Sequence, residues 1–98
     1  MTYTVKITSV KAPEVQWFSD INPTSFAAYA EWAATLPGIV SVTKQKPNAN
    51  TVVRTYVFDD QAAYDNFKEE HAANVDSQLR QTYNESNNIV STFEVLNG

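Results

Sequence analysis

The sequence runs to 98 residues and 11.0 kDa with 43% hydrophobic and 12% aromatic side chains, enough apolar material for one core and too short a chain for a second domain. A formal charge of -4, with the seven basic residues scattered along the sequence, argues against a nucleic-acid partner, which needs clustered Lys and Arg to displace phosphate counterions. The absence of cysteine removes disulfides, thiolate catalysis and Cys-containing zinc sites together. MTYTVKITSV lacks the unbroken apolar run of a signal peptide, and no other segment is apolar enough to span a bilayer, so the expectation is a soluble cytoplasmic protein with no membrane partner.

Residues 2–10 alternate Tyr3, Val5 and Ile7 with Thr4, Lys6 and Thr8, the period-two pattern of a half-buried strand. Residues 11–22 read as a loop whose Trp17 and Phe18 need something to pack on. Asn22-Pro23 opens a helix, with a capping side chain followed by a proline whose missing N–H costs nothing at the first position. The helix is predicted to run to about Leu36, burying Phe26, Tyr29, Ala30, Ala33 and Leu36, and Pro37-Gly38 stops it. Residues 39–45 and 51–58 read as strands joined by the turn chemistry of PNAN. Asp59 or Asp60 can cap a second helix reaching about Asn84, with a break near residues 74–77 where Asp76 or Ser77 could cap a fresh segment. Residues 88–96 form the last strand.

Strand, helix, strand, strand, helix, strand is the order of a ferredoxin-like α+β domain spanning residues 1–98. It carries a four-stranded antiparallel sheet, strands 1 and 3 central, with both helices on one face. The other face is then bare, and alternation assigns to it Thr4, Lys6 and Thr8, Ser41 and Thr43, Val52, Arg54, Tyr56 and Phe58, and Val90, Thr92, Glu94 and Leu96. Glu94 could pair with Lys6 on the neighbouring strand. A face this apolar is economically covered by a second copy of itself. The expected partner is therefore another copy of this chain, with Lys6, Arg54, Tyr56, Phe58, Glu94 and Leu96 at the interface.

Two segments carry a resemblance: LPGIVSV at 36–42, a helix stop running into a strand, and YVFDDQAAYDNFKEEH at 56–71, a strand running into a helix. Together with the element order they resemble the dimeric α/β-barrel superfamily, which includes antibiotic-biosynthesis-type monooxygenases and haem-handling proteins. The resemblance implies sheets packed face to face as a barrel, a cleft between each sheet and its helices, and a histidine from the second helix near that cleft. Haem-degrading members combine a first-strand asparagine with a tryptophan and a histidine. Here the first strand has no asparagine, Trp17 and Trp32 lie outside the matching segments, and only His71 resembles that set. No cofactor is expected, and haem binding through His71 ranks last.

His71, the single histidine, falls on one helical face with Tyr64, Phe67 and Val75, and Gln78 and Thr82 continue the same stripe. Three readings stay open: a core histidine satisfied by a neighbour such as Tyr29, a residue lining a ligand cleft, or an acid–base catalyst. The stripe grows polar toward its C-terminus, as a cleft with a few convergent polar groups would. The cleft is thus assigned His71, Tyr64, Tyr29, Phe67 and Gln78, with Trp17 or Phe18 as a lid, and His71 is the one catalytic candidate. One histidine without cysteine makes a metal site improbable, two glycines leave no phosphate-cradling loop, and no nucleophile elbow is present. The functional expectation is a homodimer binding a small apolar or aromatic molecule, with cofactor-free oxygenation as its potential chemistry; the alternative is a non-catalytic interaction module.

Overall fold

The computed structural model describes residues 2–97. Its elements are β1 (Tyr3–Val10), α1 (Phe18–Ile21), α2 (Pro23–Ala33), β2 (Ile39–Asn48), β3 (Thr51–Phe58), α3 (Gln61–Ala73), α4 (Val75–Ser86) and β4 (Val90–Asn97). The strands form one antiparallel sheet in the order β2-β3-β1-β4, the ferredoxin-like arrangement with β1 and β3 central. No helix among the described residues is long and apolar enough to cross a membrane.

Local chemistry sets the helix boundaries. Asn22 caps α2 by accepting from the Ser25 amide at 3.2 Å, with Pro23 at the first position. Gly38 follows that helix at φ +85°, a left-handed conformation open to glycine at no steric cost, and its carbonyl accepts from the Asp59 amide at 2.8 Å. A Cβ placed there would collide with that of Ala63, so the joint also brings α3 close to the start of β2. Asp60 caps α3 through the Ala63 amide at 2.9 Å. The break in the second helical region falls at Asn74, whose ψ of 130° ends α3 and whose side chain caps α4 through the Ser77 amide at 3.0 Å. Asn74 therefore takes the capping role expected of Asp76 or Ser77. Residues 18–21, read as loop, form one helical turn because Phe18 is buried against Tyr83 at 5.7 Å between ring centroids. In α2 the buried positions are Ser25, Tyr29 and Ala33; Ala30 is exposed, since Ser25 Oγ donates to Asp76 Oδ1 at 2.8 Å and turns that side of the helix toward α4.

The β1–β3 register corrects one assignment. Tyr3, Val5 and Ile7 pair with Phe58, Tyr56 and Arg54, and residues directly opposite on neighbouring strands share a face. Val52, Arg54, Tyr56 and Phe58 therefore lie on the helix-covered face, at 2, 9, 4 and 0% exposure, and not on the bare one. Valine occurs on both sides of β3, so alternation alone is ambiguous, and the aromatic volume of Tyr56 and Phe58 decides which side is buried. These two rings join Val5, Tyr64 and Phe67 as the core. Each ring is worth about 1.5–3 kcal/mol of burial. The bare face instead carries Thr4, Lys6 and Thr8, Ser41 and Thr43, Val53, Thr55 and Val57, and Thr92 and Glu94. Lys6 and Glu94 stand directly opposite each other on β1 and β4 without closing to ion-pair distance. Leu96 sits half exposed at an irregularity of the β1–β4 register.

Candidate functional site

Between the sheet and the pair α3–α4 lies a cleft of about 560 Å³. Its floor comes from Ile7, Arg54, Tyr56, Ser91 and Phe93 of the strands, and one wall from Tyr64, Phe67 and His71 of α3. The opposite wall is α4, through Ser77, Arg80, Gln81, Asn84 and Glu85, and Tyr29 of α2 and Lys68 of α3 also line the cleft. The size is that of a drug-like organic ligand, and the lining is aromatic with a few polar groups, as in small-molecule sites generally.

Two of the polar groups are in direct contact. The Tyr29 hydroxyl and His71 Nε2 are 2.9 Å apart, and their rings meet edge to face at 5.2 Å. Phe67 closes on the imidazole from its own helix at 5.3 Å. Burial first, and then the Arg80 guanidinium, lower the His71 pKa to about 4, so the ring is neutral at pH 7 and its Nε2 can accept the phenol proton of Tyr29. Burial, reinforced by the neighbouring Tyr29 hydroxyl, pushes the Tyr56 phenol well above its usual range. A neutral imidazole and the hydroxyls of Tyr29 and Tyr56 thus line the same cleft, a set suited to orienting a hydroxyl or carbonyl, with His71 a weak base because of its lowered pKa.

Of the residues assigned to the cleft from sequence, His71, Tyr64, Tyr29 and Phe67 line it together. Gln78 does not: it is exposed and its Nε2 donates to the Ala72 carbonyl at 2.9 Å. Val75 and Thr82, on the same predicted stripe, are exposed as well. Had the helix run unbroken, Gln78 would stand about 20° from His71 in projection and Arg80 about 180° away. The break at Asn74 resets that relation, which puts Ser77 and Arg80 in the cleft instead. Trp17 is also elsewhere, pinned to the β2–β3 turn by Nε1 donating to the Ala49 carbonyl at 3.1 Å and covered by Lys11 Nζ at 5.5 Å. Sequence reasoning missed Arg80, Ser77 and Phe93 as cleft residues, and assigned Arg54 and Tyr56 to the opposite face of the sheet. Among the described residues no group of three or more His, Asp or Glu side chains could hold a metal ion.

No family model matches the sequence, and no curated protein does. Solved structures match over nearly the whole chain. SnoaB of Streptomyces nogalater, a cofactor-independent oxygenase, superposes with a TM-score of 0.66 at 18% identity, covering 99% of this chain and 92% of its own. An antibiotic biosynthesis monooxygenase gives 0.69 at 17% identity, covering 100% and 98%. NE2512 of Nitrosomonas europaea, a protein of unknown function, gives 0.63 at 15% identity, covering 98% and 88%. The chain therefore has the ferredoxin-like fold of the antibiotic-biosynthesis-monooxygenase-like structures.

Proposed function

We propose that the protein binds a small, largely aromatic molecule in the cleft between its sheet and α3–α4 and oxygenates it without a cofactor. The observation that carries the reading is the Tyr29–His71 hydrogen bond in the lining of an aromatic-rich cleft of about 560 Å³. The likeness to SnoaB supports it at the level of fold. In such chemistry the protein's task is to bind and orient. The hydrogen-bonded Tyr29–His71 pair orients the substrate's oxygen, an activated methylene loses a proton to solvent as its charge delocalises into the ring system, and the resulting carbanion supplies electrons to dioxygen. One oxygen atom ends in a new carbonyl and the other leaves as water with both methylene hydrogens, so the four electrons lost by carbon match the four gained by O2.

The bare sheet face, with Val53, Thr55 and Val57 at its centre, is proposed to pack on the same face of a second copy, with Lys6 and Glu94 at the seam. A second reading, a non-catalytic assembly module, is favoured by the half-exposed Phe93, Val95 and Leu96 along the edge strand β4.

Oxygen uptake in the presence of anthrones and dihydroxynaphthalenes, corrected for their autoxidation, tests the catalytic reading. Uptake that depends on protein and falls in His71→Phe is the expected result. Binding without uptake for every compound would leave a ligand-binding protein, and no binding at all would favour the assembly module.

A further inference from the structure

The protein is acidic overall, yet four of its seven basic residues line one depression beside the cleft. Lys44 and Arg54 are directly paired across β2 and β3 on the helix-covered face, and both lie over the Phe26 ring, at 5.5 and 5.8 Å from its centroid. Lys46 and Arg80 complete the group, and Arg80 stacks over the Tyr29 ring at 5.5 Å. Like charges directly opposite on a sheet repel, and for Arg54, at 9% exposure, burial and then the neighbouring Arg80 both weigh against its charge. Among the described residues no carboxylate pairs with either cation: the one ion pair joins Lys68 to Asp65 of α3, and the Phe26 ring is the partner that Lys44 and Arg54 share.

Arg54, Arg80 and Asn84 line both the depression and the His71 cleft, so they are a shared wall. The depression itself has room for about 10 Å³, the scale of a single oxygen atom. Two guanidiniums with no carboxylate partner among the described residues, on a wall that the depression and the cleft share, are a donor set suited to an oxyanion.

We infer that Arg54 and Arg80 form an oxyanion subsite holding the carboxylate or phosphate of a ligand whose ring system lies in the His71 cleft. The inference rests on the cleft being a ligand site and adds the class of ligand: an aromatic acid rather than a neutral arene. Guanidiniums suit this role because their planar fork meets two oxygens at once.

Titration calorimetry with 1-hydroxy-2-naphthoate, 1-naphthyl phosphate and neutral 1-naphthol, at low and at high salt, tests it. The expected result is that at least one of the two acids binds about tenfold or more tighter than naphthol, an advantage that shrinks with salt. Which acid wins identifies the group. Arg80→Gln should remove the advantage of the acids over naphthol, read as the ratio of their affinities in that variant, while Arg80→Lys keeps part of it; because Arg80 is partly exposed both variants should fold, which circular dichroism checks. Equal affinity for acids and naphthol would overturn the subsite and leave the cleft standing. Failure of all three compounds to bind would overturn both.

Discussion

Tyr29 and His71, 42 residues apart in the chain, are joined by one hydrogen bond of 2.9 Å that ties α2 to the last turn of α3. Because Tyr29 is 4% exposed, its ring supports the core and its hydroxyl supports the site, and the two contributions separate by mutation. Tyr29→Phe keeps the ring and should cost about 1 kcal/mol in urea unfolding, whereas Tyr29→Ala should cost about 3 kcal/mol or more. If the oxygenation reading holds, Tyr29→Phe also lowers protein-dependent oxygen uptake by more than its stability loss explains.

Stability should fall as pH drops below about 6.5, ahead of the carboxylates. The sign follows from His71: its folded pKa of about 4 lies below the unfolded 6.5, so between those values the unfolded chain binds the extra proton. The stabilisation is complete above pH 6.5 and is lost as pH falls toward 4. For a ring that retains some solvent contact, the amplitude is on the order of 2 kcal/mol. Urea midpoints of the wild type and of His71→Phe, compared at pH 7 and pH 5, check this; equal slopes in the two proteins would remove His71 as the cause.

The groups packed around the imidazole are Tyr29, Phe67 and Arg80, of which only Arg80 is charged. Arg80→Gln should therefore raise the His71 pKa part of the way toward 6.5, the remainder being held down by burial. Proton NMR of the single histidine reads this without assignment ambiguity. A ring that titrates unchanged in the variant contradicts the arrangement of the two side chains.

Gly38→Ala should destabilise by about 2 kcal/mol or more, the sum of a left-handed backbone that alanine tolerates poorly and a clash with Ala63. Adding Ala63→Gly should relieve the clash but not the backbone strain. Partial recovery in the double variant is the expected outcome, and full recovery would mean that the φ of +85° costs alanine nothing.

Light scattering should give a molar mass of twice 11.0 kDa, and Thr55→Asp, at the centre of the bare face, should return it to 11.0 kDa with the fold intact. A wild-type monomer sinks the paired-sheet proposal.

Much of the fold could be read from sequence because its signals are local: alternation in β1, Asn22-Pro23 before α2, Gly38 after it, Asp60 before α3. The face of β3 could not be read by the same means. Thr51, Val53, Thr55 and Val57 make as plausible an inner surface as Val52, Arg54, Tyr56 and Phe58, and a buried arginine looks like an exposed one until its surroundings are known. In the cleft, the α3 residues were legible because one helix carries them at regular spacing. Arg80 was not, since its position depends on the backbone angles of Asn74, and neither hydropathy nor spacing reports those.

That dependence has a consequence for how such a site can change. Inserting one residue after Asn74 would bring Leu79 to the place of Arg80, and deleting one would bring Gln81 there. Either change neutralises that position and shifts Ser77, Gln81 and Asn84 along with it, while the cleft side chains of the strands and of α3 stay as they are. Ligand preference in this protein is thus open to revision by an indel at a junction outside the cleft, a route that comparing cleft residues position by position would not detect.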